Sequence, residues 1–285
     1  MSTAVRISGK TKLYGVIGHP VTHTLSPQLH NTGFNALGLE AAYLPFPVHP
    51  EQLQPAVRGL VALGVCGFNL TVPHKSAILP LLDEVSLIAQ RIGAVNTVRS
   101  DDGKLLGTNT DALGFLRSLA PLDLELRGLR VGVLGAGGSA RALLAGLSES
   151  GAARIFVCNR TPERAEALVS SLQQFAQETE MVAVSLSELE SQPLALLVNT
   201  TTVGMDGVSV PADLERFREI RNVVDIIYRP AQTPLLAQAQ RLSIPHLNGL
   251  GMLLHQGMEA FSFWTGKLAP EAEMRTALNS ALQAD

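Results

Sequence analysis

Short apolar runs alternate with stretches of helical periodicity along most of this chain. The runs at 13–18, 42–48, 65–71 and 94–99 have the length and composition of strands. Residues 53–63 and 111–119 repeat apolar positions at helical spacing, and short helices are expected between 76 and 91. Ser26-Pro27 predicts a helix start, with the serine as cap and the proline at the first helical position. Pro45 and Pro47 put the second run at a sheet edge, because a proline donates no hydrogen to a ladder. Asp101-Asp102-Gly103 reads as a turn. Alternation of this kind predicts an α/β fold with parallel sheets.

A break at 120–128 ends the first part of the chain. A second series of strands is expected at 131–134, 154–158, 181–184, 195–199 and 223–227. Thr233-Pro234 predicts the cap of a helix carrying Leu235 and Leu236. Residues 249–265 are helical by periodicity, and Pro270 starts a last helix. At 285 residues the chain suits two domains.

The first strand of the second series carries a specific signal. It runs into Gly135-Ala136-Gly137-Gly138-Ser139-Ala140, and a helix follows. Gly135 permits the tight turn, Gly137 lets the backbone approach a pyrophosphate, and Ala140 lets the helix pack close to the strand. The helix N-terminus favours an anion. The next strand ends in Asn159-Arg160-Thr161, where an NAD site usually places a carboxylate for the ribose 2′-hydroxyl. A carboxylate repels a 2′-phosphate, whereas a guanidinium pairs with it. Arg164, one helical turn beyond Arg160, adds to the clamp. NADP is therefore the expected cofactor.

Composition narrows the picture. Hydrophobic residues make up 46% of the chain, enough for sizeable cores. The net charge of −3 and the lack of a basic run argue against a nucleic-acid or polyanion surface. Cys66 and Cys158 fall in expected strands and read as small buried hydrophobes, not a disulfide or metal pair. Residues 1–6 show no apolar core of signal-peptide type, and no apolar stretch reaches the ~18 residues of a membrane span. A cytoplasmic protein is expected. His19 and His23 are four apart, but Pro20 opposes a helix there and no third ligand is near, so no metal site is expected.

The remaining chemistry lies in the first part, where polar residues gather at strand ends. These are the segments 21–27, 69–75, 96–97 and 107–111. In open α/β sheets the carboxyl ends of strands face the ligand crevice.

With these segments in order, the chain resembles the shikimate dehydrogenase family over essentially its whole length. The resemblance is carried by Gly18-His19-Pro20, His23-Thr24-Leu25-Ser26-Pro27, Asn69-Leu70-Thr71-Val72-Pro73-His74-Lys75, Gly93-Ala94-Val95-Asn96-Thr97 and Asn109-Thr110-Asp111. It continues through the glycine loop, Asn159-Arg160-Thr161, Asp225-Ile226-Ile227-Tyr228-Arg229-Pro230, Thr233-Pro234-Leu235-Leu236, Gly249-Leu250-Gly251-Met252-Leu253 and Gln256-Gly257. It implies an N-terminal parallel-sheet substrate domain of residues 1–118 with 250–285. A Rossmann NADP-binding domain of 119–249 is inserted, with the site in the interdomain cleft. The implied reaction is reversible NADP-linked reduction of 3-dehydroshikimate to shikimate, on the way to chorismate and aromatic amino acids.

The resemblance also assigns residues. Lys75 and Asp111 are the implied catalytic pair. Thr24 and Ser26 would hold the substrate carboxylate, and Asn69, Thr71 and Asn96 would reach ring hydroxyls or orient the pair, with Tyr228 and Gln256 closing the site. The cofactor would take Gly135, Ala136, Gly137, Gly138, Ser139, Asn159, Arg160, Thr161, Arg164, Thr200, Ile226 and Gly249. Partners would be the small-molecule substrate alone, in a monomer or homodimer. His19 stands where the family usually has asparagine, Thr24 where it has serine, and Ala112 where it has glycine. Threonine keeps the hydroxyl and adds a methyl, which leaves quinate open as a further substrate. A catalytically idle NADP(H)-binding relative is the other reading.

Overall fold

The computed structural model describes residues 7–176 and 178–283. Residues 1–6, on which the signal-peptide reading rests, lie outside them. Contacts divide the chain into two units, Met1–Gly114 with Leu253–Asp285, and Phe115–Met252.

The first unit runs β1 (Lys12–Gly18), α1 (Ser26–Ala36), β2 (Ala41–Pro47), α2 (Leu53–Ala62), β3 (Val65–Leu70), β4 (Glu84–Val85), α3 (Leu87–Ile92), β5 (Thr97–Asp101) and β6 (Lys104–Thr108). Helix α4 (Asp111–Ser118) starts in this unit. The sheet order is β2-β1-β3-β5-β6-β4, so β2 is at an edge, as its prolines predict. β1 pairs in parallel with β2 and β3, but β5 is antiparallel to both β3 and β6. Asp102-Gly103, with φ values of 48° and 82°, make the two-residue turn that joins β5 to β6 as a hairpin. The expected parallel sheet therefore carries a hairpin.

Two local expectations change. Asn96, expected inside a strand, precedes the first residue of β5. Ser26 is the first residue of α1 and not its cap; the N-cap is Leu25, which makes no side-chain cap bond. The Thr24 hydroxyl instead accepts from the Ser26 N–H at 3.2 Å. The sheet is covered on both faces, and β1 shows the alternation this requires. Leu13 and Ile17 pack with Phe68, Val57 and Leu60, whereas Tyr14 and Val16 pack with Phe34, Tyr43, Phe261 and Trp264.

The second unit runs β7 (Arg130–Leu134), α5 (Gly138–Glu149), β8 (Arg154–Cys158), α6 (Pro162–Gln173), β9 (Glu180–Ala183), α7 (Leu186–Glu190), β10 (Pro193–Leu194), β11 (Leu196–Asn199), β12 (Glu219–Ile220), β13 (Val223–Asp225), α8 (Pro234–Arg241) and β14 (His246–Leu247). β10 and β12 pair with each other, and the six remaining strands form a parallel sheet in the order β14-β13-β11-β7-β8-β9. That is the doubly wound order of dinucleotide-binding folds, with its reversal between β7 and β11. Thr233 caps α8 as predicted, accepting from the Leu236 N–H at 3.4 Å. Helix α9 (Leu250–Thr265) leads back into the first unit, where α10 (Glu271–Gln283) ends the fold. No helix among the described residues is long and apolar enough to cross a membrane.

The aromatic side of the first sheet also holds a histidine. His30 of α1 is fully buried, stacks on Tyr43 with ring centroids 4.4 Å apart, and has no hydrogen-bond partner on either ring nitrogen. Burial pushes its pKa from 6.5 down to about 3. The unfolded chain therefore takes up a proton that the fold refuses, and stability falls as pH drops through the window from 6.5 to about 3. Against a His30→Phe variant, the wild-type unfolding free energy should fall by an extra ~1.4 kcal/mol per pH unit below about pH 6. Equal slopes in urea titrations at several pH values would show that His30 is protonated in the fold.

Candidate active site

All the strands of the first sheet except β5 end on one side of it, and β5 begins there. β1, β3 and β6 end at Gly18, Leu70 and Thr108, while the reversed β5 begins at Thr97. Thr97 pairs with Asn69 on one side and Thr108 on the other. Residues far apart in sequence thus meet at this edge.

Lys75 lies in the loop after β3. Its carbonyl accepts from the Val95 N–H at 2.8 Å, and the His74 N–H bonds the Thr71 carbonyl at 2.9 Å. His74 is buried with a ring nitrogen 2.8 Å from the Val48 carbonyl, so it braces the loop. Lys75 Nζ sits 2.5 Å from Asp111 Oδ2, with the two side chains only 12% and 6% exposed. A surface lysine and a helix-capping aspartate would be the ordinary readings, and neither applies. Asn109 serves the start of α4 instead, its Oδ1 accepting from the Asp111 N–H at 3.0 Å. That leaves the Asp111 carboxylate for Lys75 and for Asn96, whose Nδ2 donates to Oδ1 at 2.8 Å.

Most of the other expected substrate residues join this edge. Gln256 Oε1 is 3.5 Å from Asn96 Nδ2. Asn69 Nδ2 donates to the Asn96 carbonyl at 3.1 Å. Thr24 donates to Ser26 Oγ at 3.1 Å. Thr71 packs its methyl against Gly18, where a Cβ would come within 2.4 Å of it. Tyr228 belongs to the second unit, just after β13. Sequence reasoning missed Tyr43, whose hydroxyl donates to Asn69 Oδ1 at 2.7 Å, and Thr97, which touches both asparagines. Tyr43 reads in sequence only as a strand aromatic, so nothing marked it.

In the second unit the glycine loop lies at the strand-order reversal. Gly135 has φ 111°, and a Cβ there would meet Thr200 Oγ1 at 2.5 Å. The Thr200 hydroxyl donates to the Leu134 carbonyl at 2.7 Å, locking β7 to the loop after β11. Gly137 is the N-cap of α5, exposed, with no side-chain cap bond, and a Cβ on it would meet nothing within 4 Å. That arrangement fits a pyrophosphate: bare backbone at a helix N-terminus. Arg160, Thr161 and Arg164 are exposed beyond β8, and Asn159 turns its amide to the Thr161 carbonyl at 2.9 Å. No carboxylate stands at the end of β8. Gly249 sits on the Ile226 backbone so closely that a Cβ would fall 1.8 Å from its carbonyl oxygen.

Residues 16–98 match the shikimate dehydrogenase substrate binding domain, 118–197 match shikimate / quinate 5-dehydrogenase, and 249–278 match the shikimate 5'-dehydrogenase C-terminal domain. The chain belongs to the shikimate dehydrogenase family. A shikimate dehydrogenase (NADP(+)) from Citrifermentans bemidjiense is 46% identical over 97% of both chains. A shikimate 5-dehydrogenase from Thermus thermophilus, in complex with NADP(H) and shikimate, is 41% identical with TM-score 0.86, covering 95% of this chain and 100% of that one. A quinate dehydrogenase from Corynebacterium glutamicum in complex with NAD is 31% identical with TM-score 0.87, over 95% and 99% of the two chains.

Against the shikimate dehydrogenase pattern, His19 makes an edge contact with His49 at 5.1 Å between ring centroids. Nothing in the structure explains why histidine replaces asparagine there. The glycine loop yields a direct test. Gly137→Ala should cost about 1 kcal/mol of stability, since alanine is a poorer N-cap than glycine although the added methyl meets no protein atom. If the pyrophosphate lies on this loop, the methyl occupies its approach, and NADPH binding should weaken by roughly tenfold or more. Unchanged affinity in a fluorescence titration would remove the loop from the cofactor site.

Proposed function

We propose that this protein reversibly reduces 3-dehydroshikimate to shikimate with NADPH, in the pathway to chorismate and aromatic amino acids. The observation that carries this reading is the buried Lys75–Asp111 pair, 2.5 Å apart, at a sheet edge otherwise lined by neutral amides and hydroxyls. A small hydroxyl-rich carboxylate needs such neutral partners. The relative in complex with NADP(H) and shikimate supports both ligands.

Residues 1–118 with 250–285 bind the substrate, and 119–249 bind the cofactor. NADPH, when bound, supplies the hydride. As the ketone carbon is reduced, charge builds on its oxygen; the Lys75 ammonium stabilises that charge and delivers the proton. Asp111 aims the amine. In reverse, the neutral amine takes the hydroxyl proton. Thr24 and Ser26 hold the carboxylate, and Asn69, Thr71, Asn96, Tyr228 and Gln256 serve the ring hydroxyls or the pair. Gly135, Ala136, Gly137, Gly138 and Ser139 cradle the pyrophosphate. Asn159, Arg160, Thr161 and Arg164 hold the 2′-phosphate, while Thr200, Ile226 and Gly249 line the rest of the cofactor. The protein works in the cytoplasm as a monomer or homodimer, with no membrane or nucleic-acid partner.

Initial rates test the assignment. With NADP+, kcat/KM for shikimate should exceed that for quinate by more than roughly tenfold, as expected when a buried polar site is matched to one hydroxyl pattern. A smaller ratio makes this a broader shikimate/quinate enzyme; turnover of neither makes it an idle NADP(H)-binding relative.

Lys75→Ala tests the chemistry. It should lower kcat by roughly 10²–10⁴-fold while NADPH affinity is kept. Thermal melting must accompany the assay, because the variant leaves Asp111 buried without its counter-charge. Near-normal turnover would remove Lys75 from the mechanism.

A further inference from the structure

Thr97 is fully buried at the start of β5, between two of the proposed substrate residues. Its Oγ1 accepts from Asn69 Nδ2 at 3.0 Å and donates to Asn96 Oδ1 at 3.0 Å. The direction of each bond follows from its partners. Asn69 Nδ2 also faces the Asn96 backbone carbonyl, which only accepts, so this end of Asn69 is the donor. Its oxygen is then left for Tyr43, which donates to it at 2.7 Å. Thr97 has one hydrogen; Asn96 Oδ1 at 3.0 Å is its nearer acceptor, and Thr110 Oγ1, which can itself donate, lies at 3.3 Å.

The same logic passes through Asn96. Its Oδ1 takes the Thr97 hydroxyl and the Thr110 N–H, the latter at 2.8 Å. Its Nδ2 is thereby turned to Asp111 Oδ1 at 2.8 Å and to Thr110 Oγ1 at 2.9 Å. A flipped Asn96 amide would set oxygen against the Asp111 carboxylate and nitrogen against the Thr110 N–H. Both contacts are repulsive, in a place where water does not screen them.

We propose that Thr97 is a positioning residue for the reaction: its hydroxyl fixes the amides of Asn69 and Asn96, so that Asn96 holds the Asp111 carboxylate in line with Lys75. Fully buried, it acts through the two amides. The proposal rests on the dehydrogenase reading above only for the reaction that is assayed.

Three substitutions separate the hydroxyl from the space it fills. Thr97→Val keeps the shape and removes the hydroxyl. Thr97→Ser keeps the hydroxyl and removes a buried methyl. Thr97→Ala removes both. If the hydroxyl positions the amides, kcat with shikimate and NADP+ should fall roughly tenfold or more in the Val and Ala variants and stay within about threefold in Ser. KM for NADP+ should stay within about twofold in all three, and melting temperature should not rank the variants as kcat does. The proposal is overturned if Val retains near-normal kcat, if Ser falls as far as Ala, or if kcat simply tracks melting temperature. The Ser–Ala comparison decides the matter alone should Val fail to fold. Should the unaltered protein not oxidise shikimate, the substrate reading falls, and the same ratios apply to whichever hydroxy acid it does oxidise.

Discussion

Taking Lys75 and Asp111 out of water is the demand around which the first unit is arranged. Each buried ion costs several kcal/mol of solvation, and mutual attraction offsets that only when the remaining lone pairs and protons also find partners. A second carboxylate beside Lys75 would compete for the ammonium, and a second cation would compete for Asp111. Neutral amides avoid both outcomes. Asn96 gives Asp111 its N–H at 2.8 Å, and its oxygen is then held by the Thr110 N–H and the Thr97 hydroxyl. The hairpin at Asp102-Gly103 is part of the same solution. By reversing β5 it brings the start of that strand, and with it Asn96 and Thr97, to the edge where β3 and β6 end.

The cofactor-binding unit meets a different demand. At the sheet edge of the first unit, Asn69, Asn96 and Asp111 are already hydrogen-bonded within the protein. At the glycine loop the backbone is left bare, the helix start lacks a side-chain cap, and the arginines beyond β8 are exposed. A phosphate-bearing ligand brings charge to such a place and completes it. A neutral ring with hydroxyls must instead exchange its water contacts for hydrogen bonds of the right polarity, one for one. The first arrangement provides affinity and the second provides discrimination.

Most elements were legible because both units are strongly periodic, and the expected strands ended within a few residues of expectation; β4, β6, β10, β12 and β14 were not expected. Two further features were not legible. The Asp102-Gly103 turn was recognised without its consequence, since antiparallel pairing depends on φ at both positions and not on apolar periodicity. Ser26 looked like a cap because serine before proline usually is one, yet the bond to the Ser26 N–H comes from Thr24. The pair itself was reached by resemblance; on residues alone Asp111 reads as a helix cap, and only Asn109 taking that duty releases its carboxylate. Tyr43 had no signal, because an aromatic residue in a strand is an ordinary core choice; Thr97 lay in one of the polar segments at strand ends, but nothing there gave it a role of its own.

The glycines show how far a residue type alone can carry an inference. Gly135 is required by its positive φ and by Thr200, and Gly249 by the Ile226 carbonyl oxygen that a Cβ would strike at 1.8 Å. Each would be needed whether or not a ligand ever bound, so each speaks first about how the chain packs. Gly137 differs. It has an ordinary negative φ of −91°, and no protein atom lies within 4 Å of where its Cβ would be. Nothing in the fold excludes alanine from that position. A glycine that the protein's own packing does not require, at a helix N-terminus, is accounted for by what must come close to the backbone there. Of the three, its surroundings agree best with the pyrophosphate approach that its place in the glycine loop suggests.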